Sequence, residues 1–385
     1  MVGYEKRIRV LRIIARMNVG GPAIQISGLM KNLDDQHFEQ LLVTGFCGKD
    51  EIDYLEEKKI SIPLLKVSGL GQRVNLVKDL QALLEIRKIV KTFQPDIVHT
   101  HTAKAGLLGR LAVFSIRKKI VTVHTFHGHL LHGYFGQVKR NGIIIIERFL
   151  AFFTDALIAV GEKVRDDLLR VHVGNERKFH IVRPGLQITD IPNRIDATKL
   201  LGIVEADFTV TWIGRAVAVK APHRILEIAQ ECKKREMNVR FLFVGNGPLG
   251  DEFKRISMEN NLNIQFLGWQ TEIEAILSVS DLVILTSLNE GTPVALIQAQ
   301  MAGIPVLATS VGSTSEVMIH GTSGYAVPYS KETFVNIIED LLGNPRKIRE
   351  FGRRGKAYAL SKFSLQNLVK AHEELYKKLL SQSNS

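Results

Sequence analysis

The chain has 385 residues, 45% hydrophobic and 23% charged, with a formal net charge of +12, which suits a globular protein with two cores and excludes a disordered or fibrous chain. Residues 1–190 hold 29 of the 51 Lys and Arg but only 19 of the 39 Asp and Glu. The first half therefore carries either an anion-binding face or a merely solvated basic surface, and no nucleic-acid fold motif accompanies it. The two cysteines, Cys47 and Cys232, lie far apart without redox or metal-ligand spacing, so a disulfide framework is excluded and a reducing cytosol fits.

In chain order, the first apolar run, Ile8 to Met17, is broken by Arg9, Arg12 and Arg16 and does not read as a signal peptide. Strands are predicted at Val10–Arg16, Gln40–Gly45, Ile62–Val67, Asp96–His101, Ile120–His124, Ala156–Val160 and Phe179–Val182. Amphipathic stretches lie between them, such as Asn75–Phe93 with Leu76, Leu80, Leu83, Leu84, Ile86 and Ile89. Apolar strands joined by helices predict a parallel sheet covered on both faces. Gly20-Gly21-Pro22 forms the first strand-to-helix turn, where glycine lets backbone approach a ligand closely.

Six histidines, His99, His101, His124, His127, His129 and His132, crowd two strand ends and the loop that follows. No cysteine or paired carboxylate completes a ligand set, so a metal is not expected. Ile143–Phe153 is too short and, with Glu147 and Arg148, too charged to span a membrane. Together with Leu130–Gly136, Arg117-Lys118-Lys119, Lys139 and Arg140 it reads either as an interfacial membrane contact or as a buried helix beside an acceptor loop.

From Arg183 to about Asp207, Pro184-Gly185 and Pro192-Asn193 mark a linker. The first domain is placed at 1–185 and the second at 186–363, with a helix at 364–385. The strand pattern restarts at Thr209–Ile213, Arg240–Val244, Ile264–Leu267, Leu282–Thr286, Pro305–Ala308 and Tyr325–Val327. Glycine-bearing loops follow these strands. Gly214-Arg215 leads to Lys220, Gly245-Asn246 ends the next strand, and Gly268-Trp269 the one after. Glu290-Gly291-Thr292-Pro293 then opens a helix that carries Gln298, and Val311–Glu316 reads as a further glycine-to-helix turn with Ser and Thr caps. A carboxylate next to free helix N–H groups suits a ligand with both hydroxyls and a diphosphate.

The Glu290-to-298 string resembles the E-x7-E signature of retaining GT-B glycosyltransferases, family GT4, with Gln298 in place of the second Glu. Gly214-Arg215-x(4)-Lys220 is similar to the family's G-R-x(4)-K element, Thr125-Phe126-His127 to its T-F-H, and Asp96–His101 to its D-x-V-H-x-H strand end. The resemblance covers nearly the whole chain. It implies an α/β GT-B fold, two doubly wound Rossmann-like domains facing a central cleft, with the last helix crossing back onto the first domain. It implies transfer of a sugar from a nucleotide-diphosphate donor, UDP favoured, to an acceptor hydroxyl.

His127, Arg215, Lys220 and Glu290 are the implied catalytic residues. Gly20, Gly21, Gly245, Asn246, Gly268, Trp269, Gly291, Thr292 and Gln298 are the implied donor contacts. Gln298 keeps an acceptor for the ribose hydroxyls but loses the charge, so weaker nucleotide binding is expected. No metal or other cofactor is expected. A saccharide or lipid-linked acceptor and an anionic membrane face are the candidate partners, with the protein cytoplasmic or peripheral on the inner membrane. A GT-B sugar-nucleotide 2-epimerase and an inactive sugar-nucleotide-binding protein are the other readings.

Overall fold

The computed structural model describes residues 6–48, 51–71, 74–116, 118–128, 137–188, 190–203 and 207–384. The loop expected at Leu130–Gly136, with His129 and His132, lies outside them. Described residues up to Leu186, joined by those from Leu365 onward, form one compact unit, and Gln187–Ser364 form a second.

The first unit is built on β1 (Ile8–Arg16), β2 (Phe38–Gly45), β3 (Leu64–Lys66), β4 (Ile97–His101), β5 (Val121–Phe126), β6 (Ala156–Ala159) and β7 (Phe179–Ile181). They pair in the order β3-β2-β1-β4-β5-β6-β7, all in parallel. The second unit is built on β8 (Thr209–Ile213), β9 (Arg240–Val244), β10 (Ile264–Gly268), β11 (Leu282–Leu285), β12 (Val306–Thr309) and β13 (Gly324–Val327). Their order is β10-β9-β8-β11-β12-β13, again all parallel. Each strand overlaps one expected from the sequence, most of them because a strand buried on both faces tends to be apolar over several positions in a row.

In the first unit the Gly21–Asn32 and Leu365–Asn384 helices cover one sheet face, closing over Val10, Ile97, Val121, Val123, Ala156 and Ile158. The Leu76–Phe93 and Ala103–Phe114 helices cover the other, over Leu11, Ile13, Val43 and Val98. The Leu76–Phe93 helix corrects the sequence reading of its own inner side. It buries Ala82, Ile86 and Val90, while Leu76, Leu80 and Leu84 face solvent. Ala82, fully buried in the cluster with Leu11, Val43 and Val98, marks the inner side, which a count of leucines does not reveal.

The stretch from Arg183 to Asp207 is also more than a linker. Asn193 caps a helix, Arg194–Leu200, by accepting from the Asp196 N–H. Ala197 packs with Leu242, Val244 and Ile276 of the second unit, and Arg194 grips Asp281 through two hydrogen bonds of 2.8 and 2.9 Å.

A polar seam runs through the apolar face under the last helix. His99 Nδ1 lies 2.6 Å from the Tyr376 hydroxyl and its Nε2 2.7 Å from Thr125 Oγ1. His372 Nδ1 lies 2.8 Å from the Leu368 carbonyl. Arg12 is fully buried, its guanidinium carbon 5.6 Å from the Tyr376 ring centre, and its nitrogens meet no acceptor among the described residues. Burial, then the Arg12 charge, pushes His372 down to about 3. Burial likewise holds His99, His101 and His124 well below the usual imidazole range.

These rings are neutral when folded, whereas the unfolded chain takes up their protons near pH 6.5. Their contribution is therefore complete above about pH 6.5 and is lost as the pH falls, by about 1.4 kcal/mol per pH unit for each histidine. Melting followed by circular dichroism should show Tm falling between about pH 6.5 and 5, before most carboxylates titrate. His372→Leu should flatten that slope, and a level Tm across this range in the native protein would contradict the assignment.

Candidate active site

In the second sheet the strand order reverses between β8 and β11. Connections leave to opposite faces at such a point, and a crevice opens at the carboxyl ends of the strands. Lys220 sits in the loop after β8 and Glu290 in the loop after β11. Lys220 Nζ donates to Glu290 Oε1 at 2.5 Å, and the same oxygen accepts from Ser287 Oγ at 2.5 Å. Glu290 is only 8% exposed, so a desolvated carboxylate is held by a cation and a hydroxyl.

The two loops are laced by backbone as well. The Leu288 N–H donates to the Val219 carbonyl at 2.8 Å. Thr286 Oγ1 reaches the carbonyls of Lys220 and Ala221, at 3.3 and 3.2 Å. The Thr286 carbonyl in turn accepts from Arg224 at 2.8 Å.

Two glycines are required where chains touch without side chains. A Cβ on Gly312, at φ +53, would stand 1.8 Å from the Glu290 carbonyl oxygen. One on Gly245, at φ +127, would stand 1.9 Å from that of Gly214. The turn after β12 is thus pressed against the Glu290 backbone, and the turn after β9 against the start of the Arg215 loop. Gly245 N–H donates to the Gly268 carbonyl at 2.7 Å, and the exposed Asn246 side chain lies beside Gly268.

The structure therefore brings Lys220 and Glu290 into contact and sets Gly245, Asn246 and Gly268 side by side. Trp269 is half-buried, its indole N–H enclosed with no acceptor among the described residues. Gly291 and Thr292 are half-buried beside Glu290, and Gln298 is half-buried on the Val294–Met301 helix. Arg215 is exposed and makes no ion pair with described residues. The expected helix start at Val311–Glu316 is instead a 3-10 turn, Thr314–Val317. Thr314 Oγ1 donates to the carbonyls of Thr309 and Val311 rather than capping a longer helix. Nothing in the sequence marks Ser287. Only the fold shows that its hydroxyl fixes Glu290 and that Thr309 Oγ1 donates to its carbonyl at 2.7 Å.

In the first unit the strand order reverses between β1 and β4. Gly20 and Gly21 end the turn after β1, with Pro22 in the first turn of the Gly21–Asn32 helix. His101 closes β4 and His127 follows β5. His101 Nδ1 and His127 Nε2 are 2.9 Å apart. The two rings line a small cavity with Gln25, Thr125, Leu368 and His372. Burial pushes His127 down to about 4, so near neutral pH the pair shares one N–H between two uncharged rings.

Burial raises the Cys47 and Cys232 thiols to about 11 and about 12, so neither is a nucleophile at neutral pH. Among the described residues no group of three or more His, Cys, Asp or Glu side chains is arranged to hold a metal ion.

Comparison with known proteins adds sequence to this geometry. The model for glycosyl transferases group 1 matches residues 194–358, and that for Glycosyltransferase Family 4 matches residues 19–189. The chain is 27% identical over 301 residues to the UDP-Gal:alpha-D-GlcNAc-diphosphoundecaprenol alpha-1,3-galactosyltransferase of Escherichia coli, covering 74% of this chain and 76% of that one. It is 27% identical over 318 residues to the N-acetyl-alpha-D-glucosaminyl L-malate synthase of Bacillus anthracis, covering 77% and 78%. Among solved structures, Anabaena Alr3699/HepE in complex with UDP and glucose superposes with a TM-score of 0.83 at 19% identity, over 96% of this chain and 100% of that one. Sucrose-phosphate synthase from Thermosynechococcus elongatus gives 0.82 at 18% identity, over 98% and 100%. With both halves matched by glycosyltransferase models and the two sheets those of the GT-B fold, the chain belongs to glycosyltransferase family 4 and is a glycosyltransferase.

Proposed function

We propose that this enzyme moves a hexosyl or N-acetylhexosaminyl group, with retention, from a UDP-sugar to a hydroxyl of a lipid-linked saccharide in surface-polysaccharide assembly. The observation that carries the reading is the Lys220–Glu290 pair, 2.5 Å apart at the reversal of the second sheet. A cation and a carboxylate there meet the two halves of a sugar nucleotide. As the bond from C1 to the diphosphate breaks, charge grows on the leaving phosphate, and Lys220 with the exposed Arg215 stabilises it more than the ground state. Glu290 keeps one oxygen on Lys220 and Ser287 and offers the other to donor-sugar hydroxyls.

The acceptor oxygen bonds C1 on the face the phosphate leaves, and the hydroxyl proton goes to that phosphate. His127 serves the sugar as a neutral ring, because burial keeps it unprotonated. A neutral imidazole does not repel an oxocarbenium-like centre as an imidazolium would. The Gly245, Asn246, Gly268 and Trp269 cluster receives the nucleotide, Gly291 and Thr292 face sugar and phosphate, and Gln298 accepts from the ribose. Gly20 and Gly21 approach the donor from their own turn. With two cations for the phosphate, no metal or other cofactor is required.

Two of the relatives support the substrate classes. One is a galactosyltransferase acting from UDP-Gal on a diphosphoundecaprenol-linked sugar, and a structural neighbour was solved with UDP and glucose. The basic first half fits a membrane-borne acceptor and peripheral attachment to an anionic membrane. No helix among the described residues is long and apolar enough to cross a membrane.

The test is a donor screen. Purified enzyme with UDP-, GDP- and ADP-sugars, in EDTA, should release UDP only from a UDP-sugar, and faster with a lipid-linked saccharide. Absence of release from every donor would overturn the reading.

Glu290→Ala should lower kcat about 10²- to 10³-fold, the range for loss of a transition-state contact, with UDP affinity by calorimetry kept within a few-fold. Full turnover in that variant would remove Glu290 from the site.

Gln298→Glu should tighten UDP binding by about three- to tenfold, since a carboxylate accepts a stronger hydrogen bond than an amide. An unchanged Kd would place position 298 away from the ribose.

A further inference from the structure

The sequence leaves Ile143–Phe153 open between a buried helix and an interfacial one. The structure shows a helix, Gln137–Phe152, with two apolar sides. Ile144, Leu150 and Ala151 face the core. Buried Glu147 accepts from buried Arg110 at 2.7 Å, which pins the helix to its Ala103–Phe114 neighbour. The opposite side should then be polar. Instead Ile145, Phe149 and Phe152 stand out at 64%, 55% and 78% exposure, at helical spacing on one stripe.

Phe153 and the 60%-exposed Phe114 extend that stripe. The ring centres of Phe114 and Phe153 are 4.5 Å apart, and those of Phe149 and Phe152 each lie 5.1 Å from Phe153. Lys178 holds this end of the helix by donating to the carbonyls of Ala151, Phe152 and Thr154. The aromatic cluster is therefore presented by a fixed element. A monomeric soluble protein seldom displays such a cluster without a partner for it.

Charge selects the partner. Residues 97–154 contain eight Lys and Arg and one acidic residue, Glu147. That carboxylate is buried on Arg110. Lys118 follows Phe114 closely and is exposed, as is Arg148 beside Phe149. Asp155, the next acid, is engaged by the Thr122 N–H and hydroxyl. A second copy of the chain would bring the same cations against these. An anionic lipid surface supplies both an apolar layer for the rings and counter-charge for the rim.

We infer that the outward face of the Gln137–Phe152 helix, with Phe114 and Phe153, is the surface by which the enzyme lies on an anionic bilayer, its rings entering the headgroup boundary. The inference deepens the membrane part of the reading above and does not depend on the transfer chemistry.

Co-sedimentation with phosphatidylglycerol vesicles tests it, using phosphatidylcholine vesicles as the neutral control. The protein should bind phosphatidylglycerol at least tenfold more tightly, and less so as salt rises. A Phe149→Ser, Phe152→Ser double variant should lose at least tenfold in vesicle affinity and keep its UDP release with a water-soluble acceptor. Lys118→Glu should weaken vesicle binding several-fold without touching the rings. Equal binding to both lipids, or unchanged binding by the double variant, would overturn the inference. So would a dimer in sedimentation equilibrium that the double variant abolishes, because the face would then belong to a second copy. Turnover is read separately, so failure of the transfer reading leaves the vesicle result intact.

Discussion

In a parallel sheet every strand ends on the same edge, and where the winding reverses, two neighbouring strands release their chains to opposite faces. In the second unit those strands are β8 and β11, and the residues that follow them are the ones that meet. Lys220 does not find Glu290 by local sequence, since 70 positions separate them. It finds it because the β8–β11 ladder fixes both loops at one edge. The remaining lacing reinforces a contact that topology has already placed, from Leu288 to Val219 and from Thr286 to Ala221. Gly312 then sets how near the β12 turn can come to Glu290.

The two units place opposite kinds of polar group at corresponding edges. The second unit offers charge held in hydrogen bonds, with a carboxylate steadied by an ammonium and a hydroxyl. The first unit offers uncharged rings in a dry setting, where His101 and His127 share one proton and burial keeps them neutral. A group that must balance growing negative charge needs a full charge. A group near a centre of positive character is better neutral. The dry setting of the first unit comes from the chain's last helix, which seals His99 with Tyr376 and brings His372 beside it.

Much of this is legible in the sequence, for physical reasons. Most doubly covered strands are apolar over several consecutive positions, so runs such as Leu282–Leu285 stand out whatever surrounds them. Loop motifs announce themselves through glycine, and Gly245 and Gly312 prove to be positions where a methyl group would collide with backbone. Less legible is anything decided by which side of a helix meets the sheet. Leu76, Leu80 and Leu84 look like an inner stripe and lie outside, while Ala82, Ile86 and Val90 are buried. Ser287 is unremarked in its string because a serine beside a strand end is common, and only the folded loop gives it Glu290. Polar residues between two turn signals look like a linker, yet Asn193 and Arg194 find Asp196 and Asp281 and hold a helix in place.

The Leu365–Asn384 helix completes the core of a unit whose other elements are all made before residue 187. Leu368, Leu375, Tyr376 and Leu379 are the lid on Val10, Ile97, Val121 and Val123. During synthesis on a ribosome the second unit has all its strands and helices before the first unit can close. N-terminal domains usually finish folding first, but this first unit draws part of its core from beyond the second. One face of its first-made sheet, with Arg12 in it, has no cover until the Leu365–Asn384 helix is in place. The Leu365–Asn384 helix is thus a late-made part that an early-made sheet depends on.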